Sequence, residues 1–150
     1  MTSLECLIQN VSALLIKTPL KDICDYISNY HIDPETYLEY IESNSARYTR
    51  NLIYKDDMID MFVISWSAHS HTKIHNHAKN GCIMKILKGQ LTESIYDKNL
   101  ANISMKTLCE NSVGYMSDDV GYHKISNMSD HIAVSLHIYS PPNHITTYFL

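Results

Sequence analysis

From about residue 47 the chain becomes a series of short runs rich in β-branched and aromatic residues. RYTRNLIY, MFVISW, CIMKILKG, QLTESIYD, NSVGYM and HIAVSLHIYS are each broken at Gly, Asn, Asp or Ser. Runs this short are strand-length, and turn signals spaced roughly 8–12 residues apart suit an all-β sandwich or barrel. The chain before them reads differently. Leu4, Leu7, Ile8, Val11, Leu14 and Leu15 form one apolar stripe at helical spacing. Thr18-Pro19 reads as an N-cap with proline at the first helical position, and Leu20, Ile23, Cys24 and Ile27 continue a second stripe. Asp33-Pro34 repeats that start signal before a short third stripe of Tyr37, Leu38 and Ile41. The expectation is a single domain over residues 1–150, with a helical cap at 1–45 packed on the outside of a β-barrel at 46–150.

Composition narrows the partners. A net charge of -4 and a pI near 6.1 argue against nucleic acid or an anionic membrane. Cys6, Cys24, Cys82 and Cys109 are scattered, with no CxxC pair, so no disulfide framework is expected. The opening MTSLECLIQN has no basic n-region, and no apolar run reaches membrane-spanning length. A reducing, cytoplasmic setting and a monomer are the expectation.

Nine histidines in 150 residues are an excess, concentrated between His69 and His137. His75 and His77 flank Asn76 in a strand-like stretch, so their side chains point the same way. They can ligate one metal, or lie on a solvated face. A third candidate, His123, stands in Gly121-Tyr122-His123-Lys124-Ile125. Arg50 shares a strand face with Tyr48 and Leu52, either at the surface or in a pocket. In the last long run, Ala133, Ser135, His137 and Tyr139 fall on one face and Val134, Leu136 and Ile138 on the other. A polar face backed by an apolar one is either a lined cavity or a wet edge.

Several stretches together are similar to the cysteine dioxygenase family of the cupin superfamily, most closely over residues 48–142. They are Tyr48-Thr49-Arg50-Asn51, Ile74-His75-Asn76-His77, Cys82 followed seven residues later by Gly89, Gly121-Tyr122-His123, and Ser135-Leu136-His137-Ile138-Tyr139-Ser140-Pro141-Pro142. The resemblance implies a mainly β, jelly-roll-like cupin barrel holding one Fe(II) on His75, His77 and His123. It implies that Arg50, helped by Tyr48, binds the substrate carboxylate. Ser135, His137 and Tyr139 become a relay supporting the site. Cys82 stands where animal-type members join a cysteine to the relay tyrosine by a thioether bond. The implied reaction is oxidation of L-cysteine by O2 to cysteine sulfinic acid. A three-histidine face lacks the carboxylate common in other non-haem iron sites, and a substrate thiolate can supply the missing charge.

The sequence departs from the family in places. Ser67-Ala68-His69-Ser70-His71 replaces a glycine-rich segment, and His69 and His71 are read as loop residues, not ligands. Gly81 stands where animal-type members carry histidine. The sequence runs eight residues past Pro142, short of most relatives, with ITTYFL expected to form one final strand. Ser140-Pro141-Pro142 resembles a family turn containing a cis peptide. The alternatives are a dioxygenase of a related thiol such as 3-mercaptopropionate or cysteamine, a non-catalytic metal- or small-molecule-binding cupin, and a sugar isomerase on the same barrel.

Overall fold

The computed structural model describes residues 3–42 and 47–150. The expected boundary between cap and barrel, at residues 45 and 46, touches residues outside those described. The first helix, α1 (Leu4–Leu14), starts where Ser3 accepts a hydrogen bond from the Cys6 backbone N–H, and it buries Leu4, Leu7 and Val11. A 3-10 turn over Leu20–Ile23 runs into α2 (Cys24–Ser28). Thr18 does not cap it, because Pro19 is the extended residue before the turn and no side chain bonds the first amides.

The third stripe forms two 3-10 turns, Pro34–Thr36 and Leu38–Tyr40, rather than a helix. Asp33 does accept from the Glu35 N–H, as its sequence signal suggests. The break falls at Tyr37 (φ -122°, ψ 2°), whose buried ring sends its hydroxyl to the Leu87 carbonyl at 3.2 Å. A segment this short cannot sustain a helix alone, so anchoring to the barrel decides its shape.

Among the described residues ten strands follow: β1 (Tyr48–Lys55), β2 (Asp60–Trp66), β3 (Ile74–His75), β4 (Cys82–Lys88), β5 (Leu91–Tyr96), β6 (Asn102–Leu108), β7 (Val113–Met116), β8 (Tyr122–Ser126), β9 (Ala133–Tyr139) and β10 (Tyr148–Phe149). They form two five-stranded sheets, ordered β1-β2-β9-β4-β7 and β10-β3-β8-β5-β6, with antiparallel pairing. This is the cupin double-stranded β-helix. ITTYFL does supply a final strand, β10, paired with β3. The Ser140–Pro141 peptide is cis.

Both faces of the first sheet bury apolar side chains. Outward-facing Met61, Val63, Ile83, Val134, Leu136 and Ile138 pack against α1, α2 and the turns after them. Inward-facing Ile64, Trp66, Met84, Ile86 and Ala133 meet Leu91, Leu108 and Ile125 of the second sheet. Each Val, Leu, Ile or Met side chain among them contributes roughly 1.5–3 kcal/mol when fully buried. Lys85 belongs to the outward set and is wholly buried. Its ammonium donates to the Ile27 and Ser28 carbonyls at 2.8 and 3.1 Å, at the C-terminal end of α2. It thereby ties the cap to the barrel, and burial lowers its pKa below the ordinary lysine value. No helix among the described residues is long and apolar enough to cross a membrane.

Candidate metal centre

β3 and β8 pair with His75 directly opposite His123, and His77 follows just beyond the short β3. A turn at Gly121 leads into β8; its φ of +142° and its approach to the Tyr96 carbonyl leave no room for a Cβ. The three imidazoles converge so that one ligand atom from each lies within 4.8 Å of the others. The ring pairs His75–His123 and His77–His123 meet edge to face, with centroids 4.6 and 4.2 Å apart.

The outer nitrogens show which way the lone pairs point. His75 Nδ1 lies 2.8 Å from the Lys73 carbonyl, His77 Nδ1 3.3 Å from Asp118 Oδ1, and His123 Nδ1 2.9 Å from Glu93 Oε2. Each outer nitrogen donates its hydrogen to an oxygen, which leaves each Nε2 with a lone pair aimed inward. His75 Nε2 and His123 Nε2 are 3.0 Å apart. Two nitrogens about 2.1 Å from one ion at right angles would stand about 3.0 Å apart. Among the described residues, His77 Nε2 is buried with no hydrogen-bond partner. Three convergent lone pairs repel one another unless a cation lies between them, so the residues fit a metal ion. Burial, then His123 and His75, pulls the pKa of His77 down to about 2, and burial also lowers those of His75 and His123. The imidazoles are therefore neutral, as ligation requires.

A cavity beside the cluster is walled by most of the other sequence-derived candidates, though Ser135 and Cys82 do not line it. Tyr48, Arg50, Trp66, His75, His137 and Tyr139 are among its walls, and its volume is about 30 Å³. That is room for only a couple of water-sized groups, so a ligand must be small. Arg50 is exposed, yet its guanidinium turns over the Phe62 ring at 4.3 Å and towards the Tyr139 ring at 5.7 Å. It stands at the mouth, where the cavity meets an open cleft of about 280 Å³ that Arg50 and Tyr139 also line.

On β9, Ser135 Oγ is 2.8 Å from His137 Nε2, and His137 Nδ1 is 3.2 Å from the Tyr139 hydroxyl. Cys82 lies directly across the β4–β9 ladder from Tyr139, and its sulfur is 4.0 Å from His137 Nδ1. Burial raises the pKa of the Cys82 thiol, and burial and then Cys82 raise that of the Tyr139 phenol, so both stay protonated. His69 and His71 stay outside this cluster: His69 pairs with Asp130 at 2.7 Å, and His71 Nδ1 contacts the Thr72 carbonyl.

Sequence reasoning missed four neighbours of the site. Glu93 was legible in principle: it shares a strand face with Leu91 and Ile95, and a lone acid on an apolar face calls for a buried partner. Trp66, the chain's one tryptophan, donates to Ser135 Oγ at 2.8 Å. Asp118 and Tyr148 left no signal, because loop and chain-end contacts have no period to read. Tyr148 pairs across β10–β3 with His75, and its hydroxyl interacts with that of Tyr48.

Glu93 is 3% exposed and fixes the ring of His123, so Glu93→Gln tests how far the metal site depends on it. The amide keeps the shape but loses the charge. Affinity for Fe(II), titrated anaerobically on metal-free protein, should fall by roughly 10–100-fold. An unchanged affinity would remove Glu93 from the site.

A family model described as cysteine dioxygenase type I matches residues 9–149. Cysteine dioxygenase type 1 of Homo sapiens is 34% identical over 121 residues, covering 75% of this chain and 60% of the relative. Those of Rattus norvegicus and Danio rerio are 30% and 29% identical, each covering 82% of this chain and 66% of the relative. The chain thus spans less than two thirds of the length of these curated relatives. Among solved structures, a double-stranded β-helix domain protein from Klebsiella pneumoniae subsp. pneumoniae has a TM-score of 0.62 at 12% identity, covering 73% of this chain and 85% of its own. A cupin superfamily protein from Desulfitobacterium hafniense has a TM-score of 0.56 at 14% identity, covering 68% and 84%. At these identities the likeness is one of fold.

Proposed function

The chain belongs to the cysteine dioxygenase type I family, and on that premise we propose that it is an Fe(II)-dependent thiol dioxygenase converting L-cysteine and O2 to cysteine sulfinic acid. The observation that carries this reading is the set of three inward Nε2 lone pairs beside a cavity whose mouth is held by a guanidinium. His75, His77 and His123 would hold the iron. Iron bound there supplies the redox chemistry by which both atoms of O2 reach the substrate sulfur.

The remaining roles fall to the chain's own side chains. Arg50 offers a permanently charged fork to the substrate carboxylate, with its apolar face packed on Phe62. Tyr48 lies beside it on the same strand face and helps to orient the carboxylate. Holding the substrate at the mouth while its sulfur reaches inward turns a bimolecular encounter into a positioned one. Tyr139 directs its hydroxyl to the reacting end, steadied by His137 and Ser135. Fixed dipoles in a cavity this small stabilise developing charge better than mobile water does. Facing Cys82 and Tyr139 can form the thioether, with two hydrogens passing to O2 as oxidant.

The test is to offer the iron-loaded protein cysteine, 3-mercaptopropionate and cysteamine side by side, following sulfinate and O2 uptake. Cysteine should be the best substrate, with one O2 consumed per sulfinate. Intact mass should fall by two hydrogens on turnover if the cross-link forms. Metal binding without O2 uptake on any of the three thiols would instead identify a non-catalytic cupin.

A further inference from the structure

The polar chain on β9 begins at a group that can only give a hydrogen. The Trp66 indole N–H is buried and donates to Ser135 Oγ at 2.8 Å. Indole nitrogen has no lone pair to accept with. Ser135 is fully buried, and its other partner is His137 Nε2 at 2.8 Å. Its oxygen already receives the indole hydrogen, so its own hydrogen must go to Nε2. An imidazole that accepts at Nε2 carries its hydrogen on Nδ1, which lies 3.2 Å from the Tyr139 oxygen.

The reverse arrangement fails on the same count. Were the hydrogen of His137 on Nε2, or were the ring cationic, Ser135 Oγ would receive from both sides. Its own hydrogen would then be buried with no acceptor, at a cost of about 1–3 kcal/mol.

We infer that Trp66 is a positioning residue that sets the direction of the whole chain, so that Tyr139 accepts from His137 and keeps its phenolic hydrogen for the cavity. Without the indole donor, Ser135 can turn, both tautomers of His137 become available, and Tyr139 can spend its hydrogen on the imidazole. Trp66 thus acts on the reacting end through three intervening groups while also packing against Tyr48, ring to ring at 4.8 Å. The value of this for catalysis rests on the function proposed above; the tautomer does not.

Because Trp66 is the only tryptophan, growth on β-(3-benzothienyl)-alanine would replace that one N–H by sulfur and keep the ring shape. The first measurement is the tautomer of His137, by 15N NMR of the zinc-loaded protein. The unsubstituted protein should show Nδ1 protonated and Nε2 accepting. The analogue protein should show a mixture of tautomers, with zinc still bound. In the iron-loaded enzyme, kcat for cysteine should fall roughly tenfold or more, with KM changed less than twofold. A purely structural tryptophan would lower the melting temperature and leave the tautomer alone, which would overturn the inference. So would a hydrogen on Nε2 in the unsubstituted protein, a result that stands even if the analogue chain fails to fold. If the tautomer behaves as expected but neither protein consumes O2, the proposed function fails and the inference about Trp66 survives.

Discussion

His123→Ala should abolish sulfinate formation and strip the protein of its iron. His123 is buried, lies 3.0 Å from its partner nitrogen on His75, and is fixed from behind by Glu93. Removing it leaves two neutral nitrogens and a void where the third stood. The loss of iron affinity should exceed the roughly 10–100-fold that loss of an outer partner costs. Metal content after dialysis and O2 uptake with cysteine would both drop to background. The fold should survive, because the side chain faces the barrel interior outside the two apolar clusters and the backbone pairing of β8 with β3 and β5 is unaffected. A variant that keeps a full complement of iron would show that the ion binds elsewhere. His69→Ala is the matched control, since that ring lies outside the cluster and pairs with Asp130.

Arg50→Gln should separate substrates by what they offer the guanidinium. Cysteine presents a carboxylate, and a hydrogen bond to a charged group is worth about 1.5–3 kcal/mol. Its kcat/KM should therefore fall roughly 10- to 150-fold. 3-Mercaptopropionate also offers a carboxylate and should lose about as much, whereas cysteamine, which has none, should lose nothing. Glutamine preserves a neutral donor and loses only the guanidinium's stacking on Phe62 at an exposed position, so stability should change little. Equal losses on all three thiols would mean that Arg50 supports the wall of the cavity rather than reading the substrate.

Much of this arrangement can be read from the chain alone, where the side-chain period is strict. Strands β1, β2, β4, β5, β7 and β9 follow alternating or β-branched runs, and the inward set on β9 is legible from its period of two. β6 escaped notice because it is an edge strand, with Ile103 and Met105 exposed and polar residues between them. The third apolar stripe suggested a helix because spacing cannot register the anchoring of Tyr37 to the Leu87 carbonyl. The metal cluster was legible only through likeness to a family. An HxH pair by itself cannot reveal that a histidine 46 residues beyond His77 would sit across a two-strand ladder from His75. Asp118 and Tyr148 come from a loop and a chain end, where position is set by contacts rather than by local pattern.

β9 is a wall shared by two rooms. Its even-numbered side chains, Val134, Leu136 and Ile138, face the helical layer, while Ser135, His137 and Tyr139 face the barrel interior. A slip of one residue against β2 or β4 would exchange the two sets, driving hydroxyls and an imidazole into aliphatic packing. The misregistered sheet would therefore be unstable as well as inert. A molecule that has assembled its helical layer correctly has, by the same act, pointed its working groups the right way.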